Sequence, residues 1–203
     1  MISYDWNNAT AILNFGLETQ KDIADLNDVA SEIIKKRNYD DLMQAFRALL
    51  LLAEEEGDIS LAEKEEHLEE LQKKMIQMRI ELVKEGKLLL ELRNTNECYV
   101  NRISEEIEAG RERLKSDADL NDVLEKRIRE LMTSKTVAES FSAQLKYAMD
   151  NSNAMADRLW EALMTLLPLM RGRISLKTNQ TMIEETQKTI KKWLKDIEVA
   201  KAN

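Results

Sequence analysis

Proline occurs once in 203 residues, glycine five times, cysteine once and histidine once, and aromatic side chains make up 5% of the chain. So little proline and glycine excludes a protein of short strands joined by tight turns. A single cysteine, Cys98, allows neither an intramolecular disulfide nor a thiolate metal cage, and it fits a reducing, cytoplasmic setting. A single histidine, His67, leaves no partners for a histidine-based triad or a zinc site. No metal or cofactor is therefore expected.

Positive charge is also short. Lys and Arg number 30 against 38 Asp and Glu, a net charge of -8. That balance excludes the clustered basic footprint of a nucleic-acid binder and the polybasic flank of a membrane anchor. The longest apolar runs are Ala48–Ala53 and Ala162–Met170, the second broken by Thr165 and Pro168. Both are far below the roughly 20 residues that span a bilayer. The first eight residues carry Asp5 and no basic side chain, unlike a signal peptide.

What remains is helix. With Leu61 at heptad position a, the a positions run Leu61, Leu68, Met75, Leu82, Leu89, Asn96 and Ile103. The d positions include Leu71, Met78, Leu92 and Tyr99, with Lys64, Glu85 and Glu106 as exceptions. The pattern predicts one unbroken helix from Leu61 to Leu114, opened by a capping box of Ser60 and Glu63. A second stripe of Ile76, Ile80, Val83 and Leu90 lies off that seam and predicts a second neighbour. Gly110 marks a point where the helix would begin to fray.

Lys115-Ser116-Asp117-Ala118-Asp119 reads as a reversal. Beyond it Leu124, Leu131, Ala138, Leu145, Ser152, Leu159 and Leu166 fall seven apart, with Phe141, Ala148, Met155, Ala162 and Leu169 on the other seam. Two heptad segments joined by a short reversal predict an antiparallel hairpin of helices. Pro168 should kink or end the second one, and Arg171-Gly172-Arg173 should form an irregular joint.

Before the hairpin, Ile12, Phe15, Thr19, Ile23, Leu26, Ala30 and Ile33 predict a helix from Asn8 to Lys36, capped by Asn7 or Asn8. Asp40 would cap a second helix reaching Glu56, and Gly57-Asp58-Ile59-Ser60 would end it. A last helix, Thr178–Lys201, carries Ile183, Ile190, Trp193, Leu194 and Ile197 on one face. The expected fold is all-α: an elongated antiparallel helical bundle, a coiled-coil hairpin with two short N-terminal helices and a C-terminal helix. Residues 1–57 would pack on the 60–170 hairpin as a single domain, with 174–201 as the final helix.

Most chemical motifs dissolve into ordinary structure. His67 stands on an acidic helix face, and Cys98 reads as an inert, partly buried thiol despite Arg102 one turn on. The Glu54–Glu56 and Glu63–Glu70 carboxylates lack the spacing of a calcium loop. The polar patch of Ser134, Lys135, Thr136, Gln144, Lys146, Asn151, Ser152 and Asn153 differs, because Ser134 and Ser152 lie on the seam itself. Polar seam residues fix register or line a site.

Several stretches, in order, resemble the toxic-anion (tellurite) resistance family of bacterial proteins. Ile12-Leu13-Asn14-Phe15-Gly16-Leu17-Glu18-Thr19-Gln20-Lys21-Asp22-Ile23 is similar to its N-terminal signature. Ser134-Lys135-Thr136-Val137-Ala138, Gln144-Leu145 and Asn151–Asn153 are similar to its central helix, and Leu167-Pro168-Leu169 to its proline-centred turn. The similarity runs from Ala9 to Leu176. It departs after the proline, where Met170-Arg171-Gly172-Arg173 replace the family's Trp-Lys-Asn-Gln. The resemblance implies an intracellular helical protein of stress tolerance without established catalytic residues. Binding candidates are then Lys135, Gln144, Lys146, Asn151 and Asn153 from the motif positions, with Arg171 and Arg173 for their charge.

Three functions compete on these residues. The favoured one is a non-enzymatic protein acting through a protein partner or self-association. A structural spacer or scaffold is the second. Binding of an oxyanion is the third, disfavoured by the overall charge of -8.

Overall fold

The computed structural model describes residues 6, 8–54, 61–115, 121–175 and 180–202, and every element in it is helical. They are α1 (Ala9–Asn14), α2 (Leu17–Lys35), α3 (Tyr39–Glu54), α4 (Leu61–Leu114), α5 (Asn121–Glu161), α6 (Leu167–Ser175) and α7 (Gln180–Ala202). One π-helical turn, Ala162–Leu166, joins α5 to α6. The Ser60 cap, the Gly57–Ser60 break and the reversal at 116–119 lie outside the described residues. Among those residues no helix is long and apolar enough to cross a membrane. The chain divides into two compact units, one of residues 1–35 and 88–149, the other of 36–87 and 150–203.

In the first unit α1 and α2 pack on the later part of α4 and the earlier part of α5. These two run antiparallel: Asn96 Nδ2 donates to the Ala138 carbonyl and Ser142 Oγ, both at 2.8 Å, and Gly110, further along α4, lies against Ile128, earlier on α5. Ile12, Phe15 and Ile23 close one core with Ile103, Ile107, Leu124, Ile128 and Leu131. Ala30 closes another with Leu89, Phe141, Leu145 and Ala148.

The expected helix from Asn8 to Lys36 is in fact two. Asn8 caps α1 through Ala11 N–H, and the helix stops at Phe15, whose N–H turns back to the Ile12 carbonyl at 3.1 Å. Gly16 then adopts a left-handed φ of 68°, cheap for glycine alone. The break frees the Phe15 carbonyl to accept from Arg127 Nε at 2.6 Å. The apolar stripe survives because Ile12, Phe15, Thr19, Ile23, Leu26 and Ala30 are all buried across it. Gly110 is no fraying point: α4 continues to Leu114, and a Cβ there would meet Ile128 at 3.0 Å and Phe15 at 3.3 Å.

In the second unit α3 packs against α7, with Phe46 edge-on to Trp193 at a centroid distance of 5.4 Å. Leu42, Phe46 and Leu49 share one core with Leu68 and Met75 of α4, Leu159 of α5 and Ile190 and Ile197 of α7. Asn38, not Asp40, caps α3, accepting from Asp41 N–H at 3.1 Å. Arg158 to Asp196 at 2.7 Å and Lys201 to Asp40 at 2.6 Å fasten α7 at its flanks.

Pro168 neither ends nor interrupts the helical run. In an α-turn its ring would strike the carbonyl four residues back. Here the preceding turn is widened, and Leu167 N–H reaches five residues back to the Ala162 carbonyl. The extra residue also slips the seam: Leu167 and Met170 are buried, whereas the heptad count places Leu169, only half-buried, at the core. Gly172 falls inside α6, so the expected joint at Arg171–Arg173 is helix.

Candidate functional site

The second unit contains a cleft of about 240 Å3 where the connection before α3 meets α4 and α5. Its floor is apolar, from Leu42, Met78, Leu82 and Met155, and its rim is polar, from Lys36, Tyr39, Asp41, Glu81 and Asn151. One wall is a polar network. Arg37 Nε donates to Glu85 Oε1, its Nη2 to Ser152 Oγ at 2.7 Å and its Nη1 to Tyr39 OH at 3.2 Å. The Ser152 hydroxyl in turn donates to Glu85 Oε1 at 2.9 Å. The side chains of Arg37 and Glu85 are only 5% and 17% exposed.

Local sequence explains this assembly. Glu85 holds a d position, which points it at α5, and Ser152 holds the matching seam position there. A carboxylate facing a seam must find a cation, and the turn after α2 carries Arg37 to it. Gly86 lets the helices approach, since a Cβ there would lie 2.7 Å from Asn153 Oδ1.

The first unit has its own polar cluster, at Gly16. Glu106 is 3% exposed and accepts from Thr19 Oγ1 at 2.7 Å. Arg102 pairs with Glu18 at 2.8 Å and approaches Asp22 at 3.7 Å and Glu106 at 3.6 Å. Burial pushes the Glu106 carboxyl above the ordinary range, and the Thr19 bond and the Arg102 and Arg127 charges offset that only in part. This cluster ties α2 to the hairpin.

The candidates from the sequence scatter. Asn151 lines the cleft, while Asn153 is exposed beside it against Gly86. Arg171, also in the second unit, donates to Gln72 Oε1 at 2.6 Å. The side chain of Arg173 lies outside the described set. Lys135, Gln144 and Lys146 belong to the first unit; Lys135 pairs with Glu139 at 3.7 Å, and Gln144 and Lys146 face solvent. Ser134 accepts from Gln20 Nε2 at 2.7 Å, a packing role.

Sequence reasoning missed Arg37, which falls between the expected helix Asn8–Lys36 and the one capped by Asp40, and it left Glu85 as an unexplained exception on the seam. Cys98 is exposed rather than partly buried, and Arg102 points to Glu18, Asp22 and Glu106. Among the described residues no group of three or more His, Cys, Asp or Glu could hold a metal ion. Comparison with known proteins returned nothing similar: no family model, curated protein or solved structure matches the chain.

Proposed function

We propose that this protein is a non-enzymatic helical binding protein that grips a protein partner at the Arg37–Glu85 cleft, in the tolerance of toxic oxyanions that its sequence resemblance implies. The observation that supports this reading is the pairing of an apolar floor with a rigid, internally neutralised wall. A volume of about 240 Å3 falls below the roughly 300–1,000 Å3 usual for small-molecule and cofactor pockets and suits one protein side chain. The lining charges are Lys36 and Arg37 against Asp41, Glu81 and Glu85. Because Arg37 is matched by Glu85, a small oxyanion gains little there. A long basic side chain fits better, its methylene stem on Met78 and Leu82 and its head toward Glu81 and Asp41.

A photo-crosslinking residue in place of Lys36, on the rim, tests this in the host cell. The expected result is one discrete crosslinked protein, lost when Asn151→Arg fills the cleft. A crosslink that survives Asn151→Arg, or none at all in cells exposed to tellurite, refutes the reading.

A further inference from the structure

The opposite face of α4 carries a second surface. At about 100° per residue, Glu69, Ile76, Ile80, Val83 and Lys87 fall within one strip roughly 60° wide, turned away from Met78, Leu82 and Glu85. The expectation that this stripe is covered by a second neighbour fails: Ile76 is 43% and Ile80 41% exposed. Trp160 on α5 and Met164 in the π-helical turn after it, 48% and 58% exposed, widen the apolar area, and the Arg79 guanidinium stacks on Trp160 at 4.5 Å. Isolated apolar side chains on a surface need no explanation, but a strip on two adjacent helices does.

The charge order along the strip says what covers it. It runs from acid at Glu69, through the two isoleucines, to base at Lys87. Turned end for end about its midpoint at residue 78, the strip matches itself at its centre and its two ends, while Val83 comes level with Lys73 on the margin. Ile76 then faces Ile80, Glu69 faces Lys87, and two-fold symmetry makes each contact twice. Glu69 and Lys87 are both exposed. Within one chain they are 18 residues apart, roughly 27 Å along the helix, too far to interact through a screening length of about 8–10 Å.

We propose that a second copy of this chain docks on the strip, α4 antiparallel to α4, as a two-fold dimer that leaves the cleft on the other face open. The surface is small beside the roughly 800 Å2 per partner of a standard interface, so dissociation is expected in the micromolar range or above. The second copy is favoured over an unrelated helix because the strip supplies its own complement.

Sedimentation equilibrium of the full chain over a concentration series at low salt tests this. Glu69→Lys alone and Lys87→Glu alone each place like charges opposite one another at two contacts. Each should weaken dimerisation roughly ten-fold, and the double exchange should restore it. Far-ultraviolet circular dichroism should be unchanged throughout, since both side chains are exposed. Raised salt should shrink the differences. A strict monomer at all concentrations overturns the proposal, as does a dimer indifferent to the single exchanges or a double exchange no better than the singles. None of these outcomes bears on the cleft, whose own test uses other residues.

Discussion

Replacing Gly16 with alanine adds one methyl group and should remove a large part of the first unit's stability. Two costs combine. A φ of 68° places an L-residue in the left-handed region, at about 1–2 kcal/mol. The new Cβ would sit 2.7 Å from Leu131 Cδ2 and 2.8 Å from Glu106 Oε2, and overpacking of this kind costs about 1–3 kcal/mol. Restricting the unfolded chain returns only about 0.4–1 kcal/mol. The net loss should lie between about 1 and 4.5 kcal/mol. Gly172→Ala is the control, because Gly172 lies in α6 with nothing within 4 Å of its Cβ position. There the same change should stabilise by about 0.5–1 kcal/mol. Urea unfolding of the two variants beside the parent measures both. Equal effects, or a Gly16→Ala loss below about 0.5 kcal/mol, would refute the claim that backbone conformation and the Leu131 contact hold this turn.

Three further changes probe buried polar groups. Glu106 has its carboxyl raised by burial, so the fold is favoured most when that carboxyl is protonated, and the contribution fades as pH rises from near 4.5 through the raised value. Glu106→Gln should keep the Thr19 bond, flatten that part of the pH–stability curve and leave the protein at least as stable at pH 7; a steeper curve by thermal unfolding contradicts this. Arg37→Met leaves the largely buried Glu85 carboxylate with the Ser152 hydroxyl but without its cation and should cost about 3–5 kcal/mol, with Glu85→Gln/Arg37→Met recovering much of it in denaturant titration. Asn96→Leu exchanges a buried amide on the seam, bonded to Ala138 and Ser142, for an apolar side chain. Chemical unfolding should show a gain of about 1 kcal/mol, and amide exchange along α4 should show looser register.

The parts legible in the sequence were those fixed by local periodicity. The long helix is read within its ends from Leu61 to Leu114 because no proline intervenes and the a positions stay apolar but for Asn96. The break at Phe15–Gly16 was hidden because the partner that takes up the freed Phe15 carbonyl, Arg127, lies 112 residues away. Arg37 was hidden likewise, since a charged residue in a turn reads as solvated. One clue did exist: Glu85 on an apolar seam asks for a buried base. The stripe of Ile76 and Ile80 was visible, but periodicity marks a face as apolar without saying whether the same chain covers it.

The widened turn at Ala162–Leu166 and Pro168 form a matched pair. Deleting one residue there would restore ordinary winding while leaving everything downstream facing as it does now, with Met170 still in the interior. It would also drive the proline ring into the carbonyl behind it. A descendant of this chain that sheds the additional residue must therefore shed the proline too, so the two positions should vary together or not at all.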